Sequence, residues 1–244
     1  MSRIVALGGG GMVEGENLPI DERIVALTGK DRPRALFVGT ASGDDPEKAA
    51  EFQRHYGERL GCHTDTLTTL RDRPTADAIA HKFAWADLIY VGGGNSLRML
   101  KLWRRLGIDQ LFHAARDRGC VLAGLSAGGL CWFRYGYSAS RRYNNPDDFP
   151  YIRVRALGYF NAVFCAHAVI EERLEPFREF MRGQTCVGLA LDDHCAIEII
   201  DDRWRILRSR EDAHAERIWQ RRGQLFNEVL TGGNPRPLAE LLRR

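Results

Sequence analysis

An α/β fold built on a mostly parallel sheet is what this sequence predicts, and three observations predict it. Short, continuously apolar runs alternate with amphipathic helical stretches over the first two-thirds of the 244 residues. Runs of that kind have no polar face, so the sheet they form must be covered by helices on both sides, giving three layers. Three of the runs end in glycine-rich or small-polar loops (8–11, 39–43 and 92–96), and a fourth ends at Ser126. Parallel sheets bind ligands at the carboxyl ends of their strands, so four such loops on one edge weigh more than any one of them.

In chain order, Ile4–Leu7 is a strand that runs into Gly8-Gly-Gly-Gly11. Residues 18–27 form a helix, with Pro19 near its start and Ile20, Ile24 and Leu27 on one face. Ala35–Val38 is a strand ending in Gly39-Thr-Ala-Ser-Gly43, and Asp45-Pro46 opens a helix to about Leu60. Residues 64–67 add a strand, 76–83 a helix, and Leu88–Val91 a strand that enters Gly92-Gly-Gly-Asn-Ser96. Leu97, Leu100, Leu102 and Leu106 belong to a following helix, Asp109–Arg118 to another, and Val121–Leu125 is the strand before Ser126. The last third changes character. Residues 135–151 are aromatic, polar and proline-containing and read as a long loop or lid. Strands are expected at 153–157 and 162–165, the second leading to His167, and a helix at 172–181. Residues 187–191 and 196–200 read as an antiparallel pair around Asp192-Asp193-His194, with one more strand at 203–207. Residues 225–242 contain a Gly232-Gly-Asn-Pro235 break and a terminal helix. Without repeats, low-complexity tracts or a linker, residues 1–244 read as one domain.

Bulk composition narrows the function. The 35 basic and 32 acidic residues are interspersed, for a net charge of +3, which excludes the concentrated basic patch of a nucleic-acid binder. No apolar run approaches the ~18–20 residues that span a bilayer, and residues 1–10 read as a strand entering a glycine turn, so a secretory leader is not expected. Cys62, Cys120, Cys131, Cys165, Cys186 and Cys195 lie scattered in apolar segments with no C-x-x-C, as in a reduced, cytoplasmic protein. No cysteine and histidine share a zinc spacing, so no metal is expected.

The chemistry converges on Gly124-Leu-Ser-Ala-Gly128, which fits the G-x-S-x-G pattern of a serine nucleophile on a tight strand-to-helix turn. A plain glycine turn fits the same five residues, so the serine needs partners: a base, an acid that orients it, and an oxyanion hole. His55, His63, His81, His113 and His214 sit in or beside charged helical stretches and read as surface histidines. His167 follows an apolar run and stands at a strand end on the same edge, ahead of His194 in a turn. The acid is open between Asp192 and Asp193 on one side and Asp147 and Asp148 on the other. The 92–95 loop and the N–H of Ala127 are the candidate oxyanion donors. The glycines at 8–11 read as site lining, because neither a dinucleotide fingerprint nor a phosphate-binding P-loop is present.

Tyr90-Val-Gly-Gly-Gly-Asn-Ser96 followed by Gly124-Leu-Ser-Ala-Gly128 resembles the peptidase E family of serine peptidases (family S51), which also includes cyanophycinases. The similarity runs over roughly residues 3 to 200. Tyr151-Ile-Arg-Val-Arg-Ala-Leu-Gly158 and Leu191-Asp-Asp193 look like an uncharacterised peptidase-E-like branch more than the aspartyl dipeptidases. The resemblance implies a three-layer sandwich of the class I glutamine amidotransferase-like, flavodoxin-like type, and a triad in the order Ser, His, Asp or Glu. Carried onto this chain, it implies Ser126 as nucleophile, His167 as base, and Asp193 ahead of Asp192 as acid. It implies Gly93 or Gly94 with Ala127 as the oxyanion hole, and Asn95 as the residue that holds the loop. Where the dipeptidases approach the histidine through an Asn-Pro-His type sequence, this chain has Cys165-Ala-His167. Arg173 and Arg178 are the candidates for the arginine that would read an N-terminal aspartate. The expected activity is cofactor-free hydrolysis of short peptides. The alternatives are a cyanophycinase-like isopeptidase, an esterase, or a non-catalytic ligand-binding relative. A homodimer is a family-level expectation.

Overall fold

The computed structural model describes residues 1–13 and 15–244. Its first half follows the expected alternation: β1 (Arg3–Leu7), α1 (Leu18–Ala26), β2 (Arg34–Val38), α2 (Pro46–Phe52), β3 (His63–Leu67), α3 (Ala76–Trp85), β4 (Leu88–Val91), α4 (Ser96–Leu106), α5 (Ile108–Asp117), β5 (Val121–Leu125) and α6 (Ala127–Leu130). The helix starts are set by local chemistry. Proline occupies the first turn of α1 and of α2, while the side chains of Asp45 and Thr75 accept N–H bonds at the starts of α2 and α3. The helix expected to reach Leu60 changes pitch instead, continuing π-helically over Gln53–Arg59. Gly107, at φ +71°, ends α4.

β1, β5, β4, β2 and β3 form the parallel part of an eight-stranded sheet, with β3 at its edge. Along these strands the side chains alternate between two cores. Ile4, Ala6, Leu36, Val38, Ile89 and Val91 pack into one, and Val5, Leu7, Ala35, Phe37, Leu88 and Tyr90 into the other. All are essentially buried, which is why the runs carry no polar residue. Each large apolar side chain so buried contributes about 1.5–3 kcal/mol.

The second half holds the corrections. It contains β6 (Phe133–Ser138), β7 (Ile152–Arg155), β8 (Phe160–Cys165), α7 (Leu174–Met181), β9 (Val187–Leu191), β10 (Cys195–Ile200), β11 (Arg203–Arg208), β12 (Ala215–Arg221), β13 (Gln224–Val229), β14 (Arg236–Pro237) and α8 (Leu238–Leu242). A second, six-stranded sheet runs in the order β13-β12-β9-β8-β6-β7. The start of the expected 135–151 loop is therefore strand, since Tyr135 and Tyr137 of β6 pair with Val163 and Cys165 of β8. β9 and β10 do not pair with each other. β9 lies between β8 and β12 in the second sheet, and β10 lies between β1 and β11 in the first. The chain crosses between sheets at Asp192–His194, held there by Asp192 N–H to His214 O and Gly8 N–H to Cys195 O, both 2.9 Å. The terminal helix expected after the break at 232–235 is α8, and the residues before the break form β13, in a hairpin with β12.

Candidate active site

Ser126 sits where β5 turns into α6, with φ +56° and ψ −111°. A non-glycine residue in that conformation is strained by about 1–3 kcal/mol and persists only where its surroundings hold it. They do so through Ser126 N–H to Leu7 O at 3.1 Å and Leu130 N–H to Ser126 O at 2.8 Å. The flanking glycines are required by close approach. A Cβ on Gly124 would lie 2.6 Å from backbone atoms of Gly128, and one on Gly128 only 2.0 Å from the carbonyl oxygen of Val91. The G-x-S-x-G pattern thus has a steric cause on both sides of the serine.

His167 stands two residues beyond β8, also at positive φ (+52°). Its Nε2 is 2.9 Å from Ser126 Oγ and its Nδ1 is 2.5 Å from Asp193 Oδ1. A carboxylate can only accept, so Nδ1 carries the proton and the Nε2 lone pair faces the serine hydroxyl. Burial alone would push the Asp193 carboxyl up. The hydrogen bond and charge of His167, the charge of His194 and the Gly10 N–H together hold it below the usual carboxylate range. Asp192 does something different: its Oδ1 accepts the N–H groups of Val169 and Ile170, both at 3.1 Å, pinning the turn that follows His167. His194 contributes its backbone carbonyl to Ser209 N–H, while its Nδ1 is buried without a partner among the described residues. Asp147 and Asp148 are exposed and stand apart from the cavity beside the serine.

That cavity, of about 280 Å³, is where the four loops meet: Gly10, Ser42, Gly93 and Ser126 all line it. A Cβ on Gly93 would lie 3.3 Å from the Ser126 Cβ, so its backbone passes directly beside the serine. Gly94 takes φ +137°, and a Cβ there would meet the Ala41 carbonyl oxygen at 2.3 Å. Asn95 locks the loop at three points. Its N–H bonds Ala41 O at 2.9 Å, its Oδ1 accepts Arg98 N–H at 3.0 Å, and its Nδ2 reaches Ser140 O at 3.5 Å. Ala127 offers the first N–H of α6, which has no partner within a helix.

The two candidate arginines part ways. Arg173 is buried, lines the cavity, stacks over Tyr151 and forms an ion pair with Glu171. Burial would raise the Glu171 carboxyl, but Arg173, His167 and Arg142 hold it ionised, below its usual range. Arg178 is spent elsewhere, on the buried carboxylate of Glu216 and on Glu175, outside the cavity. Glu171, Arg142 and the strand residues Tyr137 and Ser138 also line the site and were not foreseen. A period-two reading of Phe133, Tyr135 and Tyr137 would have found the strand that carries the last two.

The sequence matches the family model of peptidase family S51 over residues 4–207. It is 33% identical over 222 residues to the uncharacterized peptidase YgaJ of Bacillus subtilis (strain 168), covering 89% of this chain and 92% of that one. The fold is similar to the crystal structure of a peptidase from an acI-B1 Actinobacterium, with TM-score 0.73 and 18% identity over 97% of each chain. It is also similar to a putative peptidase E protein from Listeria monocytogenes EGD-e, with TM-score 0.66 and 17% identity over 85% of this chain and 98% of that one. Among the described residues no helix is long and apolar enough to cross a membrane.

Proposed function

This chain belongs to peptidase family S51, and from that premise we propose that it hydrolyses short peptides through a Ser126–His167–Asp193 triad. The observation that carries the reading is the unbroken line of contacts from Ser126 Oγ to His167 Nε2 at 2.9 Å and from His167 Nδ1 to Asp193 at 2.5 Å.

In this mechanism Ser126 Oγ attacks the scissile carbonyl carbon while His167 Nε2 takes its proton. Asp193 keeps His167 in the tautomer whose Nε2 is free and stabilises the imidazolium that forms. Charge develops on the carbonyl oxygen, where the backbone N–H groups of Ala127 and Gly93 receive it. Each such donor is worth on the order of 3 kcal/mol of transition-state stabilisation. The imidazolium then returns its proton to the leaving amine, and water, deprotonated by His167, hydrolyses the acyl-enzyme. Asp192 supports the base by holding the turn behind it. Short substrates are favoured because the cavity of about 280 Å³ is at the small end of ligand sites, which start near roughly 300 Å³. Its two arginines, Arg142 and Arg173, share the one carboxylate of Glu171, so one positive charge is left over. A substrate carboxylate can meet that charge, but the charge does not single out aspartate, so strict aspartyl specificity is not part of this reading.

The test is a mixed short-peptide library incubated with wild type and with Ser126→Ala and read by mass spectrometry. Cleavage by wild type alone is expected, and the depleted sequences define the specificity. Cleavage by both would remove Ser126 as nucleophile. Cleavage by neither would move the activity to ester or polymer substrates, or to ligand binding without catalysis.

A further inference from the structure

The site edge includes a strap, Gly8 to Gly11, held at several points. Gly8 N–H bonds Cys195 O, Gly11 N–H bonds Glu16 Oε2, and the Gly10 N–H faces the Asp193 carboxylate and favours its ionised form. Gly9 bridges Asp193 in the manner of a parallel pair. The strap lies so close that a Cβ on Gly9 would be 1.8 Å from Asp193 Oδ1 and 2.5 Å from the His167 ring. What fixes the strap from its far side is Asn17, which is 1% exposed. Asn17 occupies the N-cap position of α1 but its side chain does not cap the helix, although asparagine is among the best caps. Its amide is used elsewhere: Nδ2 donates to Gly9 O at 3.0 Å, and Oδ1 accepts from Ser209 Oγ at 3.4 Å. Ser209 N–H in turn holds His194 O at 3.0 Å, the residue after Asp193. Asn17 is itself anchored, since its carbonyl receives the N–H groups of Ile20 and Asp21, and the buried Asp21 is held by His55 and Tyr56.

We propose that Asn17 is a positioning residue for the triad, setting the strap that in turn sets Asp193 against His167. The inference rests on the triad reading above. Its physical content is that Asn17 ties together the two backbone segments flanking Asp193, so losing its donor frees Gly9 from its close approach to Asp193 Oδ1 and draws the neighbouring Gly10 N–H away from the carboxylate. An Asp193 carboxylate that has lost one N–H donor is more basic and holds a proton on His167 to higher pH. The other charges around the pair, His194 beside Asp193 and Glu171 beyond His167, stay as they are.

Asn17→Leu tests this, because it is nearly isosteric, uncharged and lacks the donor to Gly9 O. A serine-directed fluorophosphonate reads Ser126 reactivity without any knowledge of the peptide substrate. Wild type is expected to label at Ser126 and Ser126→Ala not to. Asn17→Leu should label about tenfold more slowly, in line with the sensitivity of catalysis to sub-ångström misplacement, and the acid limb of its pH profile should move up by about half a unit. A purely structural Asn17 would lower the melting temperature and leave that limb in place. Ser209→Ala, which loosens Asn17 without opening the strap, should slow labelling two- to threefold with a limb shift of the same sign. It is the deciding variant if Asn17→Leu does not fold. A folded Asn17→Leu, or failing it a Ser209→Ala, with wild-type rate and profile overturns the proposal. Failure of wild type itself to label at Ser126 overturns the triad reading beneath it.

Discussion

Asn in place of Asp193, set against Asn in place of Asp192, separates two neighbouring carboxylates that a sequence motif cannot tell apart. Asp193 Oδ1 accepts from His167 Nδ1, and the Gly10 N–H faces the same carboxylate and favours its ionised form. An asparagine offers one acceptor oxygen, and its NH2 would meet a second donor. The cheapest relief is a switch of the His167 tautomer, so that Nδ1 accepts from the new amide and the proton moves to Nε2. Nε2 then points an N–H at Ser126 Oγ, 2.9 Å away, and the serine has no base. Loss of the productive tautomer costs about 10⁴ in kcat in serine hydrolases of this design, or about 5 kcal/mol at 1.36 kcal/mol per decade. Asp192→Asn keeps the oxygen that Val169 and Ile170 N–H require, so it should cost less than threefold. The assay is turnover of the fastest-cleaved library peptide by each variant, with fluorophosphonate labelling as a second readout. Activity of Asp193→Asn should partly recover at alkaline pH, where hydroxide replaces the missing base. Equal losses from the two substitutions, or a greater loss from Asp192→Asn, would refute the assignment.

Two further outcomes follow from charges outside the relay. Arg178→Ala leaves the fully buried Glu216 carboxylate with only His214 and should cost about 2–3 kcal/mol, below the roughly 3–5 kcal/mol for breaking a fully buried pair because Arg178 is itself 27% exposed. The loss is read by denaturant unfolding, while specific activity at low temperature stays unchanged; a selective loss of activity would return Arg178 to the site. Asp87 is held well below the usual carboxylate range, burial opposing and Arg34 and Lys30 outweighing it. A carboxyl depressed by folding adds stability above its unfolded value and loses it as pH falls. Asp87→Asn should therefore cost about 1 kcal/mol at pH 7, the cations being half-exposed and screened. The gap should shrink below about pH 4, the unfolded carboxylate range, in parallel melts across pH 2–7.

What could be read in advance divides along a physical line. The parallel half of the first sheet was legible because both its faces are buried, which forces continuous apolar runs at Ile4–Leu7, Ala35–Val38 and Leu88–Val91. The turn at Ser126 was legible because its backbone cannot be built without small residues at 124 and 128. In both cases the constraint is local, so it is written in neighbouring residues. β12 was missed for the opposite reason. Ala215–Arg221 carries Glu216 and Arg217 into buried positions, and nothing local says that Arg178 neutralises the one while the Glu240 carbonyl of α8 receives the other. The split of β9 from β10 is the same kind of event. Asp192-Asp193-His194 reads as the turn of a hairpin, and only the first glycine strap and β12, some 180 residues before and 20 after, decide that the chain crosses between sheets there. The distinction reaches the site itself. Ser126 and His167 announce themselves by position at strand ends, whereas Asn17 is silent in sequence because it looks like an ordinary helix cap. Residues whose role is to hold other residues are invisible until distant segments are brought together.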